Sequence, residues 1–184
     1  MKRAIALCMA LMFVLLFVSC SKEKAAIPVD KLHWSISEGT NEGHRYVYFQ
    51  VTNNSDVAIL GLWMTFRIRD SVSQPEREEF IQALQDSQGF DDAFMQTFLT
   101  NLAQNGGELT MTAVATAPLQ PRQSADPIQC YYMGGWTSKD LIYLDHFEPK
   151  SLTVSYEQDG THYEQTYDFK TETYAIAPIE LEQK

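Results

Sequence analysis

Apolar residues recur at every second position over three early stretches of the chain, the period of a half-buried β-strand. Leu32, Trp34 and Ile36 alternate with His33, Ser35 and Ser37. Tyr46 to Thr52 (YVYFQVT) is rich in β-branched and aromatic residues, with Val47, Phe49 and Val51 on one face. Ile59 to Asp70 alternates most clearly: Leu60, Leu62, Met64, Phe66 and Ile68 line one face, and Trp63, Thr65, Arg67 and Arg69 line the other. Turn-forming clusters at Glu38 to Gly43 and Asn53 to Asp56 separate these runs.

The pattern changes between Pro75 and Gln104. Pro75 suits a first helical turn, and Glu76, Glu78 and Glu79 favour the positive end of a helix. Phe80, Ile81 and Leu84 form its apolar stripe, and Gly89 interrupts it. Asp91 is placed to cap a second helix in which Phe94, Phe98 and Leu102 recur every four residues beside Met95 and Leu99. Asn105-Gly106-Gly107 ends it. The spacing predicts a helical hairpin inserted at about residues 74–105.

Strand signals then return at Leu109 to Ala115, Ile128 to Met133 and Leu141 to His146, with a Pro-bearing loop from Pro118 to Pro127 and a Gly134-Gly135 break. Glu148-Pro149-Lys150 reads as a turn. Asp159-Gly160 fits a type I′ hairpin turn, which needs positive φ at both central positions. Pairing outward from it sets Tyr156 opposite Tyr163 and Leu152 opposite Tyr167 on one face, with Glu157–His162 and Thr153–Thr166 on the other. Residues 171–184 read as a poorly specified tail. Seven or eight short strands without an internal repeat predict a mainly β chain, a β-sandwich over residues 31–170 carrying the helical insert.

Tyr46 to Asp70, with VTNNSDVAI between two strands, resembles the strand–turn–strand opening of immunoglobulin-like domains in bacterial surface and periplasmic proteins. PLQPRQSADPIQCYY resembles the proline-bearing loop and following strand of such domains. The helical insert departs from that pattern. The resemblance implies an immunoglobulin-like β-sandwich and a binding or scaffolding habit, and it carries over no catalytic residue.

The first twenty residues differ from all of this. Lys2 and Arg3 precede an uncharged run from Ala4 to Val18, and Ser19 and Cys20 close it. That order is the layout of a secretory signal peptide over residues 1–19. As a helix the run spans ~22 Å, against a hydrocarbon core of ~30 Å, which disfavours the competing reading as a permanent span. Phe17-Val18-Ser19-Cys20 resembles the lipobox of bacterial lipoproteins, departing at Phe17, where Leu is usual. The resemblance implies cleavage before Cys20, lipid on its sulfur, and a tether over residues 20–30 that extends at most ~33 Å. Ordinary cleavage after Ser21, with an unanchored product, is the alternative. In a Gram-negative cell, Ser21 after the lipidated Cys resembles the pattern sent to the outer membrane.

Composition adds two constraints. Of three cysteines, Cys8 leaves with the signal and Cys20 takes lipid, so Cys130 has no partner for an internal disulfide and the domain depends on its core. Loss of Lys2 and Arg3 lowers the count of Lys and Arg from 14 to 12 against 24 acids. Such a body repels nucleic acid and anionic head groups, so the membrane is a partner through acyl chains alone.

Catalytic patterns are thin. His33, His44, His146 and His162 lack ligand spacing, and no Cys pair accompanies them. Asp86 to Asp92 (DSQGFDD) lacks the alternating ligands and closing Glu of a calcium loop. Neither G-x-S-x-G nor a nucleotide-binding glycine pattern occurs, so no catalytic residue, metal ligand or cofactor is assigned. Asn53-Asn54-Ser55 matches a glycosylation sequon and reads as a turn. Tyr131, Tyr132 and Trp136 around Gly134-Gly135 are the candidate recognition patch, aromatics offering rigid apolar area with a polar handle; the alternative is that Tyr131 or Tyr132 is core and Trp136 covers the end of the sandwich. Phe90, Phe94 and Phe98 either dock the hairpin or face a groove or partner.

The expectation is a cell-envelope lipoprotein without enzymatic activity that binds an envelope protein or small ligand. An exported enzyme or metal-binding accessory protein is the alternative. Mass spectrometry of the processed chain is expected to find a diacylglycerol-modified N-terminus at Cys20; an unmodified N-terminus at Lys22 excludes lipid attachment.

Overall fold

Two short turns with positive φ set up the principal hairpins. The computed structural model describes residues 26–179, with 105 and 134 excepted. Glu42 and Gly43, at φ 50° and 80°, join β1 (Leu32–Asn41) to β2 (His44–Asn53). Asp159 and Gly160, at φ 52° and 73°, join β8 (Phe147–Gln158) to β9 (Thr161–Asp168). Both positions lie in the left-handed region that a two-residue turn requires between right-twisted strands. The β8–β9 register is the one expected from the turn: Tyr156↔Tyr163, Leu152↔Tyr167, Glu157↔His162 and Thr153↔Thr166.

The described residues are mainly β, with two sheets and two α-helices. The smaller sheet has the order β1-β2-β5, where β5 is Ile128–Gln129. The larger adds β3 (Ile59–Ile68), β4 (Thr110–Ala115), β6 (Tyr131–Tyr132), β7 (Trp136–Thr137) and β10 (Thr173–Pro178) in the order β10-β9-β8-β3-β4-β6-β7. Every named strand pair is antiparallel. β3 is paired on both sides, and its inner face buries Leu62, Met64, Phe66 and Ile68. Facing it in the core are Val47, Phe49 and Val51 of β2, with Trp34 of β1 against both Phe49 and Phe66. A register shift between Ile59 and Gly61 turns Ile59 inward and leaves Leu60, expected in the core, half-buried.

α1 (Gln74–Gln88) starts with a reciprocal cap. The Ser73 N–H donates to Glu76 Oε2 at 2.8 Å and the Glu76 N–H to Ser73 Oγ at 3.5 Å. Gly89 closes the helix at φ 70°. The Phe94 N–H donates to Asp91 Oδ1 at 2.7 Å, which opens α2 (Asp92–Gln104). α1 buries Phe80 and Leu84; the Phe80 ring meets the edges of Tyr132 at 5.0 Å, Tyr143 at 5.1 Å and Phe147 at 5.6 Å. α2 buries Met95 alone and keeps Phe98, Leu99 and Leu102 half-buried.

Four local expectations are corrected. Within the expected tail, Thr173–Pro178 is an edge strand on β9, with Tyr174 opposite Tyr167 and their rings 4.8 Å apart. Leu141 to His146 is not a strand; its end is a 3₁₀ turn at Leu144–His146, and Leu141 packs inward while its carbonyl accepts from the Tyr132 hydroxyl. Glu148-Pro149-Lys150 lies within β8, because Pro149 sits at a register shift beyond the end of β9, where no ladder N–H is needed. The tether ends earlier than Asp30. Ile27 is 4 % exposed, its N–H donates to Gln165 Oε1, and its carbonyl accepts from Gln165 Nε2, both at 2.7 Å. Six residues, 21–26, then lie between Cys20 and Ile27, seven steps that reach at most about 25 Å. The expected signal peptide over residues 1–19, with Cys8, and the expected lipid site at Cys20 lie outside the described residues.

Phe80→Ala is expected to destabilise the protein by roughly 3–5 kcal/mol, since it empties a site walled by three aromatic rings. Phe94→Ala, on an exposed side chain, is expected to cost less than about 1 kcal/mol. Urea unfolding of both variants checks the contrast, and equal losses would contradict this placement of the hairpin.

Candidate functional site

The strand–turn–strand from Tyr131 to Thr137 distributes the three candidate aromatics over different environments. Alternation along β6 turns Tyr131 outward, where it is 40 % exposed. It lies on the outer face of the large sheet opposite Thr112, with Val114 two residues further along β4 and Trp63 opposite Val114. Tyr132 points the other way and is 0 % exposed, so its place in a recognition patch is corrected: it is a core residue. Its ring packs on Phe80 and Phe147, and its hydroxyl donates to the Leu141 carbonyl at 3.0 Å. Burial pushes that hydroxyl's pKa well above its ordinary value, so it stays a donor. Trp136, opposite Tyr132 in the β6–β7 pair, is half-buried at the sheet edge.

Trp136 meets the helical hairpin there. Its ring centroid is 5.0 Å from that of Phe90 and 4.7 Å from that of Phe98. Phe90 and Phe94 lie 4.5 Å apart, and Phe94 stacks with Phe98 at 6.5 Å. Phe90 and Phe98 are half-buried, whereas Phe94 is 46 % exposed. The four rings form one cluster in which Trp136 and the flanking phenylalanines hold Phe94 toward solvent. The two readings of the Phe stripe thus apply to different residues: Phe90 and Phe98 dock, and Phe94 is presented. The four-residue spacing of Phe90, Phe94 and Phe98 marked three members in the sequence, but nothing marked the contact across to Trp136.

No protein-family model, curated protein or solved structure matches the chain.

The polar candidates are engaged locally. His44 Nδ1 is 2.8 Å from Asp140 Oδ2, and the Arg45 N–H donates to Asp140 Oδ1. That N–H, and then the His44 ring, hold the Asp140 carboxyl below the usual range. His162 is 3.5 Å from Glu157, the cross-strand partner expected from the hairpin. In the DSQGFDD segment, Asp86 accepts from Gln82, Asp92 from Gln85, and Asp91 caps α2. Among the described residues no group of three or more His, Cys, Asp or Glu is placed to hold a metal. Asn53, the first residue of the sequon, is fully buried. Its Nδ2 donates to the carbonyls of Val57 and Leu119, and its Oδ1 accepts from the Ser55 N–H and hydroxyl, so the amide's donors and acceptor are all in use within the turn.

Cys130 sits where the chain crosses from β5 to β6. It is fully buried, and burial pushes its thiol pKa up to about 12. Iodoacetamide at pH 8 is expected to leave Cys130 unmodified in the native protein and to label it once guanidinium unfolds the chain. Peptide mass spectrometry reads both states; labelling of the native protein at the unfolded rate would place Cys130 at the surface.

Proposed function

We propose that the chain is a cell-envelope lipoprotein, moored through acyl chains on Cys20, whose sandwich serves as a binding or scaffolding module without enzymatic activity. The observation that carries the binding part is the ring cluster of Phe90, Phe94, Phe98 and Trp136. An apolar side chain exposed on a rigid aromatic base is the chemistry of an interface anchor, because little conformational freedom is lost when a partner covers it. The partner favoured is an envelope protein that offers an apolar pocket to Phe94. Tyr131, with Trp63 and Val114, offers a second exposed apolar patch on the outer face of the sheet.

The proposed sandwich is immunoglobulin-like. In that reading β1, β2 and β5 stand for strands A, B and E, and β9, β8, β3 and β4 for strands G, F, C and C′; the antiparallel order of the two sheets supports it. On this reading the helical hairpin occupies the C–C′ connection, and β6, β7 and β10 are additions at the two edges of the larger sheet. The anchor rests on the FVSC segment and the uncharged run before it. In a Gram-negative cell the outer membrane is the proposed address.

Two measurements test this reading. In detergent phase separation the processed wild type is expected in the detergent-rich phase and Cys20→Ala in the aqueous phase; a wholly aqueous wild type rejects the anchor. A photo-reactive phenylalanine analogue replacing Phe94 in living cells is expected to give one discrete cross-linked species that Trp136→Ala weakens. No adduct at that position rejects the anchor-in-pocket role of Phe94.

A further inference from the structure

A second feature lies away from the ring cluster, where the N-terminal segment reaches the sandwich. A cavity of about 510 Å³ opens between residues 26–31, the Asn53 turn, the Pro-rich loop and the end of β8. Ile27, Val57 and Tyr156 supply apolar wall, and Lys31, Asp56 and Arg122 supply charge. Its volume falls within the range of small-molecule sites.

Three independent observations converge on it. First, its walls are fixed. Gln165 holds Ile27 on both sides, and Asn53 organises residues 53–57 through its saturated amide. Arg122 is held at φ 65° with its N–H donating to the Asn53 carbonyl. Second, the Tyr156 hydroxyl is buried without a hydrogen-bond partner, on a side chain that is 0 % exposed and whose ring lies tilted against that of Tyr163, 5.6 Å away. Buried polar groups are almost always satisfied, and Tyr156 is one of the residues that line this cavity, so its orphaned hydroxyl fits a missing ligand atom. Third, most of the other described cations are matched. Arg45 pairs with Glu38, Arg67 with Asp70 and Glu148, and Lys150 with Glu108. Arg69 and Arg77 donate to backbone carbonyls, while Lys139 and Lys170 lie in the fields of Asp140 and Asp168. Among the described residues Lys31, Arg122, Lys139 and Lys170 have neither an ion-pair partner nor a side-chain hydrogen bond, and of these four Lys31 and Arg122 line this cavity.

We infer that the cavity binds a small amphipathic monoanion, with a carboxylate or phosphodiester head at Lys31 and Arg122 and an apolar body against Ile27, Val57 and Tyr156. Asp56 on the same rim leaves one net positive charge, which matches a monoanion better than a dianion. The Tyr156 hydroxyl donates to an oxygen of the ligand. Such a head can come from a free organic acid or from an anionic lipid. The inference is independent of the ring cluster and of the acyl anchor, since it uses none of their residues.

The test uses octanoate carrying a diazirine, with the full chain in phosphatidylcholine nanodiscs and adducts located by peptide mass spectrometry. Labelling is expected on peptides containing Ile27, Val57 or Tyr156, with competition by unlabelled octanoate and none by octanol. Joint Lys31→Gln and Arg122→Gln substitution, on two exposed side chains, is expected to lower labelling by about tenfold or more, a difference of about 1.4 kcal/mol. Joint Lys139→Gln and Lys170→Gln substitution should leave it within about twofold. Tyr156→Phe should weaken labelling while the thermal unfolding midpoint is held. Nanodiscs of equal parts phosphatidylcholine and phosphatidylglycerol separate the sources: loss of labelling there identifies a lipid head group, and unchanged labelling a free acid. Adducts scattered over the surface, or labelling indifferent to Lys31 and Arg122, would overturn the site.

Discussion

Burial of the inner face of β3 is the interaction on which the rest of this structure depends. Leu62, Met64, Phe66 and Ile68 form a continuous apolar stripe between the sheets, and Cys130, buried and free, offers no covalent staple. At about 25 cal/mol per Å² of apolar surface, each such side chain contributes roughly 1.5–3 kcal/mol. β3 is also the strand that joins β8–β9 to β4. Through Phe66 it reaches Trp34 and Phe49 on the facing sheet. Through Phe147, opposite Ile68, it reaches the Phe80–Tyr132 cluster that fastens the helical hairpin. The ring cluster at Trp136 therefore owes its position to a chain of apolar contacts that begins at the centre of the large sheet.

What the sequence made legible follows the physics that was local. The Asp159-Gly160 turn carried its own register, because positive φ and a two-residue loop leave one pairing open to strands of alternating polarity. The helices announced their ends through Ser73, Pro75, Gly89 and Asp91. Where alternation failed as a guide, a non-local partner had overridden it. Leu60 left the core at a bulge that only β8 could impose. Pro149 was accepted in a strand because β9 had already ended. Residues 173–178, whose burial pattern is almost wholly exposed, gained a ladder from β9 that their composition did not advertise.

The candidate site was legible in the same uneven way. Adjacent tyrosines in a strand must face opposite sides, so Tyr131 and Tyr132 could never share a surface once β6 formed. Trp136 lies half-buried at the sheet edge, and its ring companions came from α2 and the loop before it, more than thirty residues away in sequence. Sequence reading could name aromatic residues on both segments; only the fold could set the Phe98 and Trp136 rings 4.7 Å apart. The cavity beside Tyr156 was still less visible, being assembled from four separate segments.

The grip of Gln165 on Ile27 has a mechanical consequence. β1 is an edge strand, and a pull on the N-terminus would otherwise unzip it from β2 one ladder bond at a time, the weakest direction for a sheet. With both polar groups of Ile27 held by an amide on β9, tension arriving from that end is first borne in shear by the opposite sheet. Were the domain moored through Cys20 as proposed, it would feel every undulation of the surface beneath it, and this clasp would direct that agitation past its most easily stripped strand.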